Sequence, residues 1–470
     1  MMKLTKVGTV TKKSALDIKE SRLGIGFEKL DRNVFDPNKA YDKLGKIGVK
    51  WVRLQSGWAR TEQEKGVYNF GWLDDVVDKL ISLGMIPWIC LCYGNDLYDD
   101  FAKEVFGAVG CPPIYTEEQK AAWSKYVTAI AKHFKGRVRH FEIWNEPDGV
   151  HCWKKGINGT ELGNFSIATA KALKEGNEDV YVIGGAMCTA SIPFWQEAFS
   201  TGMGDYLDGV SYHAYTYDER NVIHKDRSIR GLLHMHNPDI DVIQGESGSQ
   251  SRADGHGAMW EGAWTPRLQA KQLLRHLTVD LLNDVKFASY FSCMDMIEAL
   301  NGTSGDVASY LDYGYFGVLG AEFDENGLSV GEYTPKPSYY ALQNMASLLS
   351  GKIEITDLPV LFHRETVPHL GKVQTKGGHE IIYGAFQMEN GSHILTYWYP
   401  SELMTTEYEG AVSLEIAMGK EYYLVDPMCG EVYRVDDFDV DDYGTARIPF
   451  LPLRDYPLYL ICGNLDYEKE

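Results

Sequence analysis

The sequence lacks the features that mark several large classes of protein. It has no apolar run long enough to cross a bilayer, and its first 20 residues contain no apolar core of a secretory signal. Its formal net charge is −20, so it is short of the positive charge that binding to nucleic acid or an anionic membrane surface requires. These absences predict a cytoplasmic protein that acts on a neutral small molecule, with no nucleic acid or membrane as partner.

Metal and cofactor signatures are also missing. The eight cysteines do not have the spacing of a metal site, and Cys90 and Cys92 lie in an apolar run that is typical of buried free thiols. His234 and His236 have no third ligand close in the sequence. No Gly-x-Gly-x-x-Gly motif follows a predicted strand, so no dinucleotide site is indicated. The sequence therefore predicts neither a bound metal nor a cofactor.

What the chain does contain, from residue 20 to residue 350, is an alternation of short apolar strands with amphipathic helices. One helix begins at Thr116, where Gln119 completes a capping box, and ends at Gly136. Eight strand–helix units predict an α/β fold of the closed (β/α)₈ type, a TIM barrel, with an open doubly wound sheet as the alternative. The eight predicted strands are Gly24–Glu28, Lys50–Trp58, Met85–Tyr93, Val138–Trp144, Val180–Met187, Leu207–Tyr215, Ile240–Ser247 and Lys286–Cys293.

The last part of the chain has a different pattern. Residues 352–470 consist of short alternating runs such as KIEITD, HEIIYGAF and SHILTYWY, separated by turns such as Glu389-Asn390-Gly391. This pattern predicts an antiparallel β-sandwich. The alternating segment within residues 1–19 is expected to complete the same sandwich. We therefore expect two domains, a barrel at 20–350 and a sandwich at 352–470.

Polar or titratable side chains stand at the ends of six predicted barrel strands. Barrel enzymes carry their reactive groups at the carboxyl ends of the strands, so these side chains are candidates for a catalytic or substrate-binding site. They are Glu28 on the first strand, Arg53 and Trp58 on the second, Tyr93 and Asn95 on the third, Asn145 and Glu146 on the fourth, His213 and Tyr215 on the sixth, and Glu246 on the seventh.

Two of these residues, Glu146 and Glu246, form a pair of carboxyl groups that predicts the type of reaction. The fourth and seventh strands face each other across the mouth of a barrel, so the two carboxyl groups can lie on opposite sides of one pocket. Cleavage of a glycosidic bond needs such a pair, one protonated as the acid and one ionised. The strand holds Glu146 rigidly, and Pro147 turns the chain away behind it. A separation of about 5–5.5 Å gives retention, and about 6.5–9.5 Å gives inversion.

At this point the sequence resembles a known family. The motif IWNEP, a second glutamate on the seventh strand and H-x-Y on the sixth are similar to clan A glycoside hydrolases. The segments W-x-R-L-Q-S-G-W, Y-N-F-x-W-L-D, CYGN and WNEPD resemble glycoside hydrolase family 39 more narrowly, a family that includes β-xylosidases and α-L-iduronidases. The resemblance implies a barrel with an appended sandwich and a retaining mechanism.

The resemblance also implies a role for individual residues. Glu146 matches the acid/base, Glu246 the nucleophile, and Asn145 the residue that binds the sugar 2-hydroxyl. His213 and Tyr215 match groups that orient the carboxylates, and Arg53 matches the arginine that keeps the nucleophile ionised. Glu28 is expected to bind a sugar hydroxyl or to pair with Arg32. The carboxylates that could replace Glu246 as nucleophile are Glu261, Glu298 and Asp295.

The eighth strand departs from the family pattern. Its sequence YFSCMDM has no tryptophan, whereas many clan members place one beneath the sugar. Phe291, Trp260 or Trp264 would have to supply that surface, and the sugar itself is not determined by the sequence. We expect a retaining exo-glycosidase, β-xylosidase-like, that hydrolyses short oligosaccharides or glycosides. The alternatives are a non-catalytic carbohydrate-binding barrel and a transglycosylase that uses the same residues.

Overall fold

The computed structural model of the chain describes residues 4–103, 107–297, 312–365, 381–405, 407–418 and 421–469, and Glu298 lies outside them. The α-helices are α1 Tyr41–Ile47, α2 Trp58–Thr61, α3 Gly71–Ser82, α4 Glu117–His133, α5 Gly159–Gly176, α6 Ile192–Phe199, α7 Arg220–His236, α8 Pro266–Leu282 and α9 Pro337–Leu348. None of these described helices has the length and apolar character needed to cross a membrane.

The strands fall into a barrel and several antiparallel sheets. The barrel strands are β2 Leu23–Gly26, β3 Trp51–Gln55, β4 Ile86–Leu91, β5 His140–Ile143, β6 Tyr181–Met187, β7 Gly209–His213, β8 Asp241–Ser247 and β9 Ala288–Tyr290. The others are β1 Leu4–Val10, β10 Met296–Ile297, β11 Tyr313–Gly314, β12 Leu319–Phe323, β13 Ser329–Pro335, β14 Ile353–Thr356, β15 Val360–Glu365, β16 Ile382–Met388, β17 His393–Trp398, β18 Glu409–Ile416, β19 Tyr422–Asp426, β20 Glu431–Val435, β21 Asp439–Val440, β22 Ala446–Arg454, β23 Leu458–Cys462 and β24 Tyr467–Lys469.

Strands β2 to β9 are the first to eighth strands of a closed parallel barrel. The barrel closes where β9 pairs with β2, with Tyr290 opposite Ile25. This closure confirms the predicted TIM barrel and excludes an open sheet. Strand β3, the second strand of the barrel, is shorter than predicted, because Gly57 has a left-handed backbone and α2 begins at Trp58. A residue with a Cβ at Gly57 would meet the Cβ of Asp31 at 2.6 Å, so the turn is restricted to glycine.

Helix α4 shows how the local sequence defines the outer layer. The hydroxyl of Thr116 accepts a hydrogen bond from the backbone N–H of Gln119 at 3.1 Å, and the side-chain oxygen of Gln119 accepts one from the N–H of Thr116 at 3.3 Å. The predicted capping box is therefore present. Trp123, Tyr126 and other apolar residues of this helix are buried, so its amphipathic pattern fixes the face that packs on the barrel.

The antiparallel sheets contain both ends of the chain. An eight-stranded sheet has the order β14-β16-β17-β23-β19-β20-β1-β24, and a four-stranded sheet has the order β15-β18-β22-β21. Strand β1 pairs with β20 on one side and β24 on the other, so Thr9 lies between Glu431 and Glu468. The appended antiparallel sheets that the sequence predicted are confirmed. Two short antiparallel pairs that the sequence did not indicate, β10–β11 and β12–β13, follow the last barrel strand.

Helix α8 joins the barrel to the appended sheets through a buried ion pair and a buried hydrogen bond. Lys271 Nζ lies 2.8 Å from a carboxylate oxygen of Asp455, and both side chains are 1% exposed. Arg275 lies 2.6 Å from Glu219 and donates to the backbone carbonyl of Ser401 at 3.0 Å. Because a buried charge is costly unless it is paired, these contacts specify how the helix packs against the sheets.

We expect the substitution Lys271→Met to lower the free energy of unfolding by about 3–5 kcal/mol, because it leaves Asp455 buried without its cation. Urea denaturation of the purified chain measures this loss. The matched control is Lys46→Met, which breaks the exposed pair between Lys46 and Asp42 on α1 and should cost about 0.5 kcal/mol. Equal losses in the two variants would contradict the role given to the buried pair.

Candidate active site

A cavity of about 490 Å³ lies at the carboxyl ends of the barrel strands. Its size is within the range of small-molecule sites. Six of the residues predicted for the site line the cavity. They are Tyr93, Asn145, Glu146, Tyr215, Glu246 and Phe291. Lining residues that were not predicted to bind substrate include Lys29, Arg32, Gln55, His151, Cys188, Lys225 and Phe316.

The guanidinium of Arg53, on β3, lies directly beneath this cavity and is completely buried. Its Nε donates to Glu142 at 2.9 Å, and one terminal nitrogen donates to Asn145 Oδ1 at 2.9 Å. The other terminal nitrogen donates to Glu246 and lies 3.4 Å from Glu28. One cation thereby connects the carboxyl ends of the first, second, fourth and seventh strands.

The sequence did not indicate Glu142 as a site residue. It is fully buried within β5, where it accepts hydrogen bonds from Arg53 and from the hydroxyl of Ser211. A signal was nevertheless available, because a charged residue within an apolar strand must find a partner inside the barrel. Arg53, in the interior of another predicted strand, was the matching cation.

Glu246 lies near the end of β8 with three donors around its carboxylate. Arg53 donates to one oxygen, and the hydroxyl of Tyr215 donates to the other at 2.8 Å. His213 Nδ1 lies 3.5 Å from that second oxygen. The residue is 7% exposed and borders the cavity. Its hydrogen bonds hold the carboxylate in one orientation, and the cavity makes it accessible to a ligand.

Glu146 follows β5 in a tight turn. Trp144 and Glu146 both have left-handed backbone angles, with φ of 63° and 48°, and the N–H of Gly149 donates to the carbonyl of Glu146 at 2.9 Å. His213 Nδ1 lies 2.7 Å from one carboxylate oxygen, and His151 Nε2 contacts the other. Burial by itself would raise the pKa of Glu146, but the hydrogen bonds with His151 and His213 outweigh burial and hold the pKa below its usual range.

His213 links the two candidate catalytic glutamates. One oxygen of Glu146, one oxygen of Glu246 and a ring nitrogen of His213 lie within 4.8 Å of one another. Burial lowers the pKa of His213, but the nearby carboxylates of Glu246 and Glu146 raise it overall. Its Nε2 has no hydrogen-bond partner among the residues that the structure describes. The Nδ1 atom of the imidazole therefore lies between two carboxylates.

Glu28 and Asn145 lie in the same cluster. The Oε1 atom of Glu28 is 3.4 Å from Arg53, and its Oε2 atom is buried with no partner within the described ranges. Burial raises the pKa of Glu28 to about 8, with Arg53 opposing the shift and Glu246 adding to it. Glu28 makes no ion pair with Arg32, which donates to Gln55 at 2.6 Å and lies 3.4 Å from Asp31. Glu28 is thus a buried acid beside the cluster.

Trp58 and Asn95 lie outside the cavity that the two glutamates border. Trp58 stacks on Tyr98 with ring centroids 5.3 Å apart, and its indole N–H donates to Glu62 at 2.5 Å. The amide of Asn95 donates to the backbone carbonyl of Glu62 at 2.9 Å. Both side chains therefore organise the loops after the second and third strands.

Trp264 is also directed elsewhere. Its ring stacks on Tyr217 at 6.0 Å, and its indole N–H donates to the carbonyl of Glu261 at 3.1 Å. Asp295, an alternative carboxylate, lies 2.6 Å from Lys336. Neither Asp295 nor Glu261 lines the cavity around Glu146 and Glu246.

The eighth strand has no tryptophan, and two phenylalanines contribute the aromatic surface of the cavity. Phe291 and Phe316 both line the cavity, and their rings meet edge to face with centroids 5.4 Å apart. Trp260, the other aromatic that the sequence suggested, is 61% exposed and does not line the cavity. Phe316 was not foreseen, because it comes from the segment beyond the last barrel strand.

Part of the sequence is similar to known proteins. Residues 38–228 match the family model of glycosyl hydrolases family 39, a range that includes Glu146 and ends before Glu246. A beta-xylosidase of Geobacillus stearothermophilus is 30% identical over 164 residues, which cover 32% of this chain and 31% of the relative. A beta-xylosidase of Caldicellulosiruptor saccharolyticus is 28% identical over 190 residues, which cover 37% of this chain and 38% of the relative. The matches span about a third of each relative.

Solved structures resemble the chain over nearly its whole length. A family 39 glycoside hydrolase from the gut symbiont Bacteroides cellulosilyticus superposes with a TM-score of 0.63 at 18% identity, covering 94% of this chain and 81% of that one. A monomeric beta-xylosidase from Caulobacter crescentus gives a TM-score of 0.60 at 15% identity, with 97% of each chain covered. At these identities the likeness shows the fold alone. Together with the sequence match over residues 38–228, it supports the predicted resemblance of this chain to glycosyl hydrolases family 39.

Proposed function

We propose that this protein is a retaining exo-glycosidase of the β-xylosidase type that hydrolyses short oligosaccharides or glycosides. The observation that carries the proposal is the approach of the two carboxylates. An oxygen of Glu146 lies within 4.8 Å of an oxygen of Glu246. Retaining enzymes separate their carboxyl groups by about 5–5.5 Å, whereas inverting enzymes leave about 6.5–9.5 Å for a water molecule. The spacing here favours retention.

In the first step, Glu246 attacks the anomeric carbon and forms a glycosyl ester while the bond to the leaving oxygen breaks. Arg53 and Tyr215 orient the attacking carboxylate. The leaving oxygen needs a proton, which Glu146 delivers. In the resting site this proton is one hydrogen bond away, on the imidazoles of His151 and His213 that contact Glu146.

In the second step, Glu146 acts as the base. It removes a proton from a water molecule, which attacks the anomeric carbon and releases Glu246. The side chain of Asn145 is held by Arg53 at 2.9 Å, beside both carboxylates. This arrangement suits a hydrogen bond to the 2-hydroxyl of the sugar, which strengthens as the transition state develops.

Xylose is the sugar that the comparisons favour, since the two curated relatives are named beta-xylosidases. A barrel that only binds carbohydrate would have no need for two carboxylates that approach within 4.8 Å. A transglycosylase would use the same groups, with a sugar hydroxyl in place of the water. Hydrolysis of a panel of nitrophenyl glycosides, with product analysis for longer oligosaccharides, separates these functions.

The exo mode of the proposal draws on the size of the site. Gly257 and Ala258 of the loop after β8 line the cavity, together with side chains from the other strand ends. A cavity of about 490 Å³ suits the terminal sugar of a chain better than a long internal segment.

The substitution Glu146→Ala should discriminate between leaving groups. For xylobiose or alkyl xylosides, which leave as poor anions, we expect kcat/KM to fall by about 10²–10⁴-fold, the usual contribution of a general acid. For dinitrophenyl xyloside, whose leaving group needs no proton, the first step should retain much of its rate. The control is Glu261→Ala, an exposed carboxylate outside the cavity, which should leave both rates unchanged. Equal losses on both substrates would remove Glu146 from the acid role.

The nucleophile can be trapped covalently. The fluorine of a 2-deoxy-2-fluoro xyloside slows both steps, and a good leaving group restores the rate of only the first. The glycosyl ester should therefore accumulate. Peptide mapping should place the label on Glu246, and proton NMR of the first product from an ordinary substrate should show retained configuration. A label on Glu261 or Asp295, or an inverted first product, would refute the assignment.

The exo mode predicts the order of products. The substrate is a xylo-oligosaccharide labelled at its reducing end. At early times we expect only free monosaccharide and labelled oligosaccharides that become shorter by one sugar at a time. Chromatography of a time course measures this. Early release of internal fragments of several lengths would show instead that the site accepts the middle of a chain.

A further inference from the structure

The loop after β5 brings three different metal-binding side chains together at the edge of the cavity. A carboxylate oxygen of Glu146, a ring nitrogen of His151 and the Sγ atom of Cys152 lie within 4.8 Å of one another. His151 Nε2 already contacts Glu146, and Asn145 Nδ2 lies 3.6 Å from the sulfur of Cys152. Carboxylate, imidazole and thiolate are a donor set typical of zinc.

The backbone of the loop holds these ligands in place. The N–H of Cys152 donates to the carbonyl of Gly149 at 3.0 Å, and the indole of Trp144 donates to the carbonyl of Cys152 at 3.0 Å. A Cβ at Gly149 would lie 2.5 Å from the Cε1 atom of His151, so the imidazole occupies space that only glycine leaves open. The three donors are therefore positioned by the fold of the loop itself.

The geometry needs only a small adjustment to bind an ion. Bonds of about 2.0–2.3 Å in a tetrahedral site place the ligand atoms about 3.3–3.8 Å apart. Donor atoms that lie up to 4.8 Å apart would have to close by about 1.0–1.5 Å, and the hydrogen-bonded atoms of Glu146 and His151 would have to move apart to admit the ion. Glu146 and His151 line the cavity, and the side chain of His151 is 37% exposed, so an ion can enter from the cavity and keep a water molecule as fourth ligand.

We propose that Glu146, His151 and Cys152 form an inhibitory site for Zn²⁺ or a chemically similar thiophilic divalent cation. Binding releases the thiol proton of Cys152 and the imidazole proton of His151 to solvent. The ion then binds a carboxylate oxygen of Glu146, so that Glu146 can no longer protonate the leaving oxygen of the substrate. The loss of glycosidase activity rests on the acid/base role proposed for Glu146, whereas binding of the ion does not.

A second set of donors in the cavity provides the competing explanation. Glu146, His213 and Glu246 also offer ligand atoms within 4.8 Å of one another, but no sulfur. An ion at that set would be indifferent to Cys152. The thiol is therefore the group that distinguishes the two sites.

The first measurement is inhibition of nitrophenyl xyloside hydrolysis by Zn²⁺, with each variant compared with its own metal-free rate. We expect inhibition that EDTA reverses. Loss of a residue that hydrogen-bonds to a metal ligand costs about 10–100-fold in metal affinity. Cys152→Ser and His151→Gln remove proposed ligands themselves, so each should raise the half-inhibitory Zn²⁺ concentration at least tenfold. The control is Cys188→Ser, since Cys188 lines the same cavity outside the three donors and its loss should leave Zn²⁺ sensitivity unchanged.

The second measurement does not depend on activity. Co²⁺ added to the purified protein should produce a thiolate-to-cobalt charge-transfer band that Zn²⁺ displaces, and the band should be absent in Cys152→Ser and present in Cys188→Ser. Inhibition of Cys152→Ser at the wild-type Zn²⁺ concentration would overturn the proposal, as would a wild-type protein without the band. A band in a protein that hydrolyses no glycoside would support the metal site and refute the proposed function.

Discussion

A single guanidinium, buried beneath the cavity, holds the candidate active site together. Arg53 contacts Glu28, Glu142, Asn145 and Glu246, which come from three other barrel strands or the segments that follow them. Three carboxyl groups around one buried cation would carry excess negative charge if all were ionised. Burial relieves part of this excess, because it raises the pKa of Glu28 to about 8 and keeps that group largely protonated near neutral pH.

The same constraint explains how the two candidate catalytic carboxylates differ. The carboxylate of Glu246 is oriented by hydrogen bonds from Arg53 and Tyr215. Glu146 has no direct contact with the guanidinium among those described, and its charge is balanced by two imidazoles instead. An imidazole can transfer a proton whereas a guanidinium cannot, so the two carboxylates differ in whether their partners can exchange protons with them.

The short loop that carries Glu146 combines several demands in few residues. It must hold a carboxylate at a left-handed backbone position, direct His151 toward it and bury Cys152 behind it. Gly149 meets these demands because it leaves room for the imidazole ring. The arrangement that brings a proton donor to Glu146 also brings a thiol close to it. The lone pairs that proton exchange at Glu146 would use are the ones that a metal ion would bind.

The sequence by itself determined the barrel, the appended antiparallel sheets and the strand ends from which the site is built. Hydrophobic periodicity and capping residues act locally, and Glu146 and Glu246 each follow a strand that could be recognised from its own residues. Only the tertiary structure decided which neighbouring side chains enter the cavity. Trp58, Asn95 and Trp264 lie outside it, whereas Glu142, His151 and Phe316 join the cluster or line the cavity. The direction of a side chain at a strand end depends on the path of the following loop and on the charges supplied by distant strands, and neither is written in the local pattern.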